Sequence, residues 1–228
     1  MGYESYEPFH IKTAEDTYTG LDIDLASEIF KRMKCNLKIV PVPWSRQLKD
    51  LEEGNLHVMT SASVTEERKV FALFSHPYVT VRNVLVLRKE ASKTFKVTKL
   101  KDLVTLKKFK LGVTRNYEYG DVFSKAANLP KFKGLVEEAN DEDQNIKKLL
   151  ADRVNGILVN EITFRALVKR DRSKGQFEIF PLDIGKDELH YMFSKKLINK
   201  GVVDSFNEAL ASTKADGTYQ KIMDKFLD

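Results

Sequence analysis

Helix-type and strand-type patterns alternate along this 228-residue chain, and this alternation limits the possible folds more than any other feature. Apolar residues recur every three or four positions in residues 21–33, which predicts an amphipathic helix. A short β-rich segment follows at residues 37–42, and then a second helix pattern with Ser45 as its expected cap and Gly54 as its end. A buried strand is predicted at residues 56–60. Elements alternating at this spacing indicate an α/β fold built from parallel βαβ units.

The same alternation continues in the second half of the chain. It predicts strands at residues 110–113 and 156–159, and helices at residues 117–127 and 141–153. Two further amphipathic helices at the C-terminal end are broken at residues 216–217. Such helices need an apolar surface to cover, and we expect the N-terminal part of the chain to supply it.

The pattern changes at two places, which divides the chain into two lobes. An apolar run at residues 84–87 leads into a lysine-rich stretch, where we place a crossing into a second lobe. Strand-type alternation near residues 180–194 suits a return crossing. We therefore predict a first lobe from residues 1–88 plus 189–228, with residues 89–188 inserted as the second lobe. Two connecting strands of this kind form a hinge, and hinges support closure around a ligand.

Composition excludes several classes of protein. Hydrophobic residues make up 42% and charged residues 31%, which are ordinary values for a soluble globular protein. No apolar run approaches the roughly 20 residues that span a bilayer. The net charge of +5 arises from basic residues interspersed with acidic ones, so we expect no nucleic-acid partner. Cys35 is the single cysteine and the four histidines lack metal-ligand spacing, so we expect no disulfide, metal or cofactor.

The polar segment after the strand at residues 56–60 is the first candidate for a binding site. Ser61 and Ser63 leave the carboxyl end of this strand, where open α/β sheets bind their ligands. Thr65 is the expected N-cap of the next helix. Arg68, in the first turn of that helix, can hold a carboxylate through two parallel hydrogen bonds. From the residues alone, a surface ion pair is an equally good interpretation of Arg68.

Several motifs in order resemble one known family. Thr65-Glu-Glu-Arg68 followed by Phe74-Ser-His-Pro-Tyr78 is similar to the Thr-x-x-Arg and Phe-Ser-x-Pro-Tyr pattern of that family. Other segments that agree are Tyr6-Glu-Pro-Phe9, Gly20-Leu-Asp-Ile-Asp-Leu25, Trp44 with Leu51, Gly112-Val-Thr-Arg-Asn-Tyr117, the stretch at 144–153, and Ala215-Asp-Gly-Thr-Tyr219. The chain resembles, over essentially its whole length, the bacterial extracellular (periplasmic) solute-binding proteins of the polar amino-acid type, family 3, of ABC transporters.

The resemblance implies a fold and a set of ligand contacts. The fold is an α/β, type II periplasmic-binding-protein-like clamp of two lobes, each a mainly parallel sheet flanked by helices. Arg68 occupies the place of the arginine that binds the ligand's α-carboxylate, and we expect it to lie in an open cleft. Ser61 and Ser63 match positions that contribute hydrogen bonds. Tyr6 and Trp44 match the two aromatic residues that enclose the ligand's side chain.

The second lobe departs from the family pattern. The family places a helix N-terminus after a Gly-Val strand, where free backbone N–H groups complete the carboxylate site. Thr114, Asn116 and Tyr117 stand at this place, although the family usually has Gly and then Ser or Thr where this chain has Asn116 and Tyr117.

The expected amine site departs further. Asn160 stands where family members commonly carry an Asp that binds the ligand's α-ammonium group. Asn160 can accept a hydrogen bond but brings no charge. Glu161 and Glu4 are possible substitutes, and the alternative is that the ligand has no amine.

The resemblance implies the substrate-binding component of an ABC importer. Such a protein captures a small polar solute, here an amino acid or related carboxylate, and delivers it unchanged to a membrane permease. We expect a monomer, periplasmic or extracellular and membrane-tethered, whose signal peptide has been removed, with no catalytic residues. Two alternatives stay open: a ligand-sensing domain of a signalling receptor, and a cyclohexadienyl dehydratase-like enzyme. The enzyme would need a general acid, for which Glu4, Glu118 and Glu161 are candidates.

Overall fold

The computed structural model describes residues 1–93 and 95–227, apart from the side chains of Ser92 and Lys174. Along the chain the strands are β1 (Gly2–Tyr3), β2 (Ile11–Lys12), β3 (Tyr18–Thr19), β4 (Val40–Pro41), β5 (Val58–Ala62), β6 (Ala72–Phe74), β7 (Val79–Arg88), β8 (Leu111–Thr114), β9 (Val136–Ala139), β10 (Gly156–Asn160), β11 (Phe177–Phe180) and β12 (Lys186–Ser194). The α-helices are α1 (Leu21–Arg32), α2 (Trp44–Glu53), α3 (Glu66–Phe71), α4 (Lys89–Ser92), α5 (Asp121–Ala127), α6 (Pro130–Lys133), α7 (Glu142–Leu150), α8 (Glu161–Arg170), α9 (Lys200–Ala215) and α10 (Thr218–Leu227). Short 3-10 helices lie at Leu100–Thr105 and Lys174–Gln176.

The chain forms two compact units. The first unit consists of Met1–Thr80 and the described part of Glu188–Asp228, and the second unit is Val81–Asp187. The first crossing lies at residue 80, eight residues before the position predicted from the sequence. The reason is that β7 pairs with β10 from Asn83 onward, so most of β7 already belongs to the second unit.

In the first unit, the described strand pairs are mostly antiparallel, which differs from the mainly parallel sheet that we expected. Among the strand pairs described in this unit, β1 and β4 form the parallel one. β12 pairs antiparallel with both β5 and β6 because the chain re-enters this unit in the opposite direction. β2 and β3 form a short antiparallel pair.

The second unit is built around β8, which pairs in parallel with β10 and with β9. β7 joins β10 in antiparallel register, and β11 joins β7. Along β7, Val84 and Val86 pack into one apolar cluster, while Leu85 and Leu87 pack into another. Both faces of this sheet are therefore buried, as a continuous apolar run predicts.

The tail helices pack on the first unit through Phe206 of α9. Its ring is fully buried and lies 4.8 Å from the ring centre of Tyr191, 5.2 Å from that of Phe193 and 5.5 Å from that of Phe30. The break between α9 and α10 falls at residues 216–217, as predicted. No helix within the described ranges has the length and apolar character that crossing a membrane requires.

Two helix starts differ from the sequence prediction. α2 begins at Trp44 after Pro43, so the predicted cap at Ser45 is wrong, although Gly54 ends the helix with φ 83° as expected. α5 begins at Asp121, four residues later than predicted. Gly120 precedes it with φ 80°, a backbone conformation that few other residues adopt.

Candidate functional site

The turn between β5 and α3 positions the Arg68 side chain. Thr65 is the N-cap of α3, as predicted, and its hydroxyl accepts a hydrogen bond from the backbone N–H of Arg68 at 3.1 Å. The Arg68 guanidinium folds back and donates to the backbone carbonyl of Ser63 at 3.0 Å. Arg68 is only 6% exposed, which corrects the expectation of an open setting. Among the groups around the guanidinium are the Ser63 carbonyl and the Trp44 ring of the same unit.

Trp44 and Glu4 adjoin Arg68 in the first unit. The Cζ atom of Arg68 lies 5.6 Å from the centre of the Trp44 ring, within the range of a cation–π interaction. The Glu4 carboxylate accepts a hydrogen bond from the backbone N–H of Trp44 at 2.9 Å. This N–H is the first of α2 and has no partner inside the helix, so Glu4 satisfies it from a distant segment. The structure thus brings together Glu4, Trp44, Ser63 and Arg68.

Tyr6 is held near Glu4 by a tight turn. The backbones of Tyr6 and His10 exchange two hydrogen bonds of 3.1 and 2.8 Å, and the Tyr6 ring stacks on Phe9 with ring centres 5.1 Å apart. Nδ1 of His10 lies 3.0 Å from the backbone carbonyl of Glu4. Because a carbonyl oxygen only accepts, this nitrogen carries the proton.

Ser61 has a different setting from the one the sequence predicted. Its backbone is left-handed, with φ 51°, and its hydroxyl donates to the carboxylate of Asp22 at 2.7 Å. Asp22 is fully buried at the start of α1 and also accepts from the Tyr78 hydroxyl at 2.6 Å. The Ser61 hydroxyl is therefore engaged inside the unit.

Asp22 is the centre of a buried polar network, which we name the Asp22 network. Besides Ser61 and Tyr78, its carboxylate lies 3.3 Å from Nε2 of His10, and its backbone carbonyl accepts from the Tyr191 hydroxyl at 3.0 Å. Burial raises the pKa of the Tyr78 hydroxyl well above its usual value, and the negative charge of Asp22 adds to this effect. Both factors keep this hydroxyl protonated as a donor to Asp22.

Sequence reasoning missed the Asp22 network. A signal was present, because Asp22 shares the apolar face of α1 with Ala26 and Ile29, four and seven residues later. A carboxylate at such a position must be buried with partners. The partners His10 and Tyr78 lie far away in sequence, and no local pattern identifies them.

In the second unit, Thr114 and Tyr117 belong to a turn and not to a helix N-terminus, which corrects the prediction. The N–H of Tyr117 donates to the Thr114 carbonyl at 3.2 Å, and Asn116 between them has φ 62°. The N–H of Thr114 donates to the Tyr119 hydroxyl at 2.8 Å, and the Thr114 hydroxyl accepts from Asn145 at 3.1 Å. The backbone N–H groups of Thr114 and Tyr117 are thus engaged within the unit.

Asn160 and Glu161 mark the junction of β10 and α8. Asn160 is buried, and its side-chain oxygen caps α8 by accepting from the N–H of Ile162 at 2.9 Å. Glu161 forms ion pairs with Arg82 at 2.6 Å and with Arg165 at 2.5 Å. Burial alone would raise the pKa of the Glu161 carboxyl, but the hydrogen bonds from Arg165 and Arg82 lower it below its usual value.

Glu142 is a second buried carboxyl group that sequence reasoning missed. It lies in the first turn of α7 and is 5% exposed, and neither carboxyl oxygen has a hydrogen-bond partner among the described residues. Burial raises the pKa of Glu142 to about 8, and the nearby Thr114 hydroxyl offsets this only in part. Glu142 therefore holds its proton at neutral pH.

Comparison with known proteins places the chain in a family. The sequence model of the bacterial extracellular solute-binding proteins, family 3, matches residues 1–228. The chain belongs to this family. As a family 3 protein, it is 24% identical to the L-arginine-binding protein of Pseudomonas aeruginosa, over 99% of this chain and 86% of that protein. It is 26% identical to the histidine-binding periplasmic protein of Salmonella typhimurium, over 98% of this chain and 85% of that protein.

A solved structure confirms the fold of this family 3 protein. An ancestral arginine-binding protein bound to arginine superposes with a TM-score of 0.83 and 26% identity, covering 100% of this chain and 96% of that one. The predicted type II periplasmic-binding-protein fold is therefore correct. The predicted ligand-binding residues, in contrast, remain a prediction.

In the first unit of this family 3 protein, the Arg68 guanidinium lies over the Trp44 ring and donates to the Ser63 carbonyl. A guanidinium in a buried setting interacts more strongly with a carboxylate than one in water does, because water screens the charges less there.

Asp22→Asn is predicted to destabilise the first unit by about 3 kcal/mol, since it breaks a buried charged network. Urea unfolding measures this loss. The matched control is Asp24→Asn on the same helix, because Asp24 is partly exposed and pairs with Lys225 at 2.6 Å. Exposed ion pairs contribute less than about 1 kcal/mol. Equal losses in the two variants would show that the Asp22 network does not have this role.

Glu142→Gln is predicted to stabilise the protein increasingly as pH rises. In the unfolded chain the pKa of this carboxyl has its ordinary value of 4.5, whereas burial in the folded protein raises the pKa to about 8. The folded state is thus penalised progressively between these values. The gain in unfolding free energy is on the order of 3 kcal/mol at about pH 7, and it disappears near pH 4.

Thermal unfolding across this pH range tests the Glu142 prediction. The control is Asp121→Asn, which removes an exposed acid from the first turn of α5. A pH-independent difference between Glu142→Gln and the wild type would contradict the assignment of a raised pKa.

Proposed function

We propose that this chain binds an amino acid or a related small carboxylate and delivers it unchanged to the membrane permease of an ABC importer. Family membership and the names of the arginine- and histidine-binding relatives support this function. The observation that carries the proposal is the buried Arg68 guanidinium, oriented by the Ser63 carbonyl over the Trp44 ring. We propose that the protein acts as a monomer in the periplasm, or outside the cell tethered to the membrane.

Arg68 is the proposed anchor for the ligand's carboxylate. A guanidinium has five N–H donors in a fixed planar fork, and two of them match the spacing of carboxylate oxygens. The bond to Ser63 and the Thr65 cap fix the position of the Arg68 side chain, so little conformational entropy is lost when a ligand binds. Tyr6 and Trp44 are proposed to contact the ligand's side chain.

The turn that contains Thr114, Asn116 and Tyr117 is proposed to contact the ligand, but not in the way a helix N-terminus would. Two of the backbone N–H groups in this turn already donate to Thr114 and Tyr119. We therefore assign ligand contact in this turn chiefly to the side chains of Asn116 and Tyr117, with Thr114 supporting them.

For a ligand amine, Glu4 is a better acceptor than Glu161. The Glu161 carboxylate already pairs with two guanidinium groups, while Asn160 uses its side-chain oxygen to cap α8. Glu4 accepts the backbone N–H of Trp44, whose ring lies over Arg68, so its carboxylate stands in the same unit as the proposed anchor. The proposal therefore places the carboxylate on Arg68 and an amine, where the ligand has one, on Glu4.

The pKa of Glu161 bears on the alternative of an enzyme. A general acid must hold a proton near neutral pH, and the lowered pKa of Glu161 removes it from this role. We therefore assign Glu161 no catalytic role in the proposed site.

Arg68→Ala is predicted to weaken binding at least about 100-fold, because it removes two charge-assisted hydrogen bonds. The assay first screens amino acids and small carboxylates by thermal shift with the wild type. It then titrates the ligands that bind while following the fluorescence of Trp44, the single tryptophan.

Two variants make the Arg68 test specific. Lys69→Ala is the matched control, because Lys69 follows Arg68 in α3 but is exposed and pairs with Glu66. Arg68→Lys keeps the charge and loses the planar fork, so an intermediate affinity is expected. Because Arg68 is buried, circular dichroism and urea unfolding must show that each variant is folded. A folded Arg68→Ala protein with wild-type affinity would refute the proposed anchor.

A further inference from the structure

The second unit contains a cavity of 390 Å³, of which the turn at residues 114–117 forms only one part. Its floor is the sheet, where Val113 of β8 and Val136 of β9 contribute apolar side chains. Its wall is formed by Tyr119 and by two residues of α5, Phe123 and Ala127. Pockets that hold small molecules have volumes of about 300–1,000 Å³ and mostly apolar walls, so this cavity is large enough for a small ligand.

Two of the apolar residues in this cavity are only half-buried. Phe123 and Val136 pack against the core cluster of the second unit yet keep part of their surface accessible in the cavity. A concave, partly exposed apolar surface of this kind is typical of binding sites. An apolar or aromatic group placed there would remove this surface from water.

The charged groups at the cavity favour an anion. Lys133 of α6 lines the cavity, and among residues 1–93 and 95–227 no ion pair is formed by its ammonium group. Glu138 also lines the cavity, and its charge is compensated because its carboxylate pairs with Arg115 at 2.8 Å. Among the charged residues that line the cavity, the Lys133 ammonium is therefore the group with which an anion can pair.

We propose that this cavity binds a small organic anion with an aromatic or branched apolar body. The anion's carboxylate pairs with Lys133, and its body lies on Phe123, Tyr119 and Val136. This second site lies entirely within the second unit and uses neither Arg68 nor Trp44. It thus goes beyond the proposed function, with which it shares only the turn at residues 114–117.

Occupancy of the cavity has a consequence for the turn at residues 114–117. Asn116 and Tyr117 also line the cavity, so a bound anion contacts the same turn that we assign to the transported ligand. Two ligands that share such an element influence each other's affinity by the same factor in both directions.

Phenylacetate is a suitable probe for this second site, because it combines one carboxylate with one aromatic ring. NMR titration of the full chain should shift the resonances of Phe123 and Val136. Lys133→Gln should weaken phenylacetate binding about 10-fold, since it removes one charged partner. The matched control is Lys131→Gln, which changes an exposed lysine of the same helix outside the cavity and should leave binding unchanged.

Two further variants separate this inference from the proposed function. Ala127→Phe fills the cavity and should abolish the Phe123 and Val136 shifts, provided that thermal unfolding shows a folded protein. Arg68→Ala should leave them intact. The inference is overturned if about 10 mM phenylacetate causes no shift at these residues in the wild type. The affinity for phenylacetate would then be too weak for a formed site. It is also overturned if Lys133→Gln and Lys131→Gln bind phenylacetate equally well.

Discussion

The buried carboxylate of Asp22 is the constraint on which the first unit depends. Burying a charged group costs several kcal/mol unless hydrogen bonds and a matching charge compensate it. In this protein Ser61 and Tyr78 donate hydrogen bonds to the carboxylate, Nε2 of His10 lies 3.3 Å from it, and the Tyr191 hydroxyl holds the backbone carbonyl of the same residue. These partners come from four segments that are far apart in sequence. The first unit can satisfy Asp22 only when all four are in place.

The proposed carboxylate site follows from this network. Ser61 is held in a left-handed conformation two residues before Ser63, whose carbonyl orients the Arg68 guanidinium. Nδ1 of His10 bonds to the backbone carbonyl of Glu4, which connects Glu4 to the network. The Glu4 carboxylate in turn accepts from the backbone N–H of Trp44 at the start of α2. The residues proposed to contact the ligand are therefore not isolated side chains on loops. They are positioned by buried hydrogen bonds, which keeps them in place before a ligand arrives.

The sequence predicted the elements well where the signal is local. The spacing of apolar residues located α1 and the tail helices, Gly54 marked the end of α2, and Thr65 was recognised as the cap of α3. The prediction failed where a group far away in sequence determines where an element begins. The start of α2 is satisfied by Glu4, forty residues earlier, so the local signal at Ser45 was misleading.

The candidate site, too, could be predicted only as far as local sequence patterns reach. Motif order led us to predict Arg68 and Trp44 as ligand contacts, which stays a prediction, and the burial of Arg68 depends on packing that a sequence pattern does not contain. The late start of α5 at Asp121 likewise reflects the turn at residues 114–117, whose N–H groups bond to Thr114 and Tyr119. The hydroxyl that accepts from the Thr114 N–H belongs to the Tyr119 side chain, and such a side-chain contact is not part of the helix propensity of these residues.

The central claim is that recognition depends on the ligand's carboxylate at Arg68, and paired calorimetric titrations test it most directly. Each amino acid that binds is compared with the amine obtained by removing its carboxylate, for example arginine with agmatine and histidine with histamine. The account predicts that every amine binds at least about 100-fold more weakly than its amino acid, the loss expected for two charge-assisted hydrogen bonds. Equal affinities within a pair would contradict it.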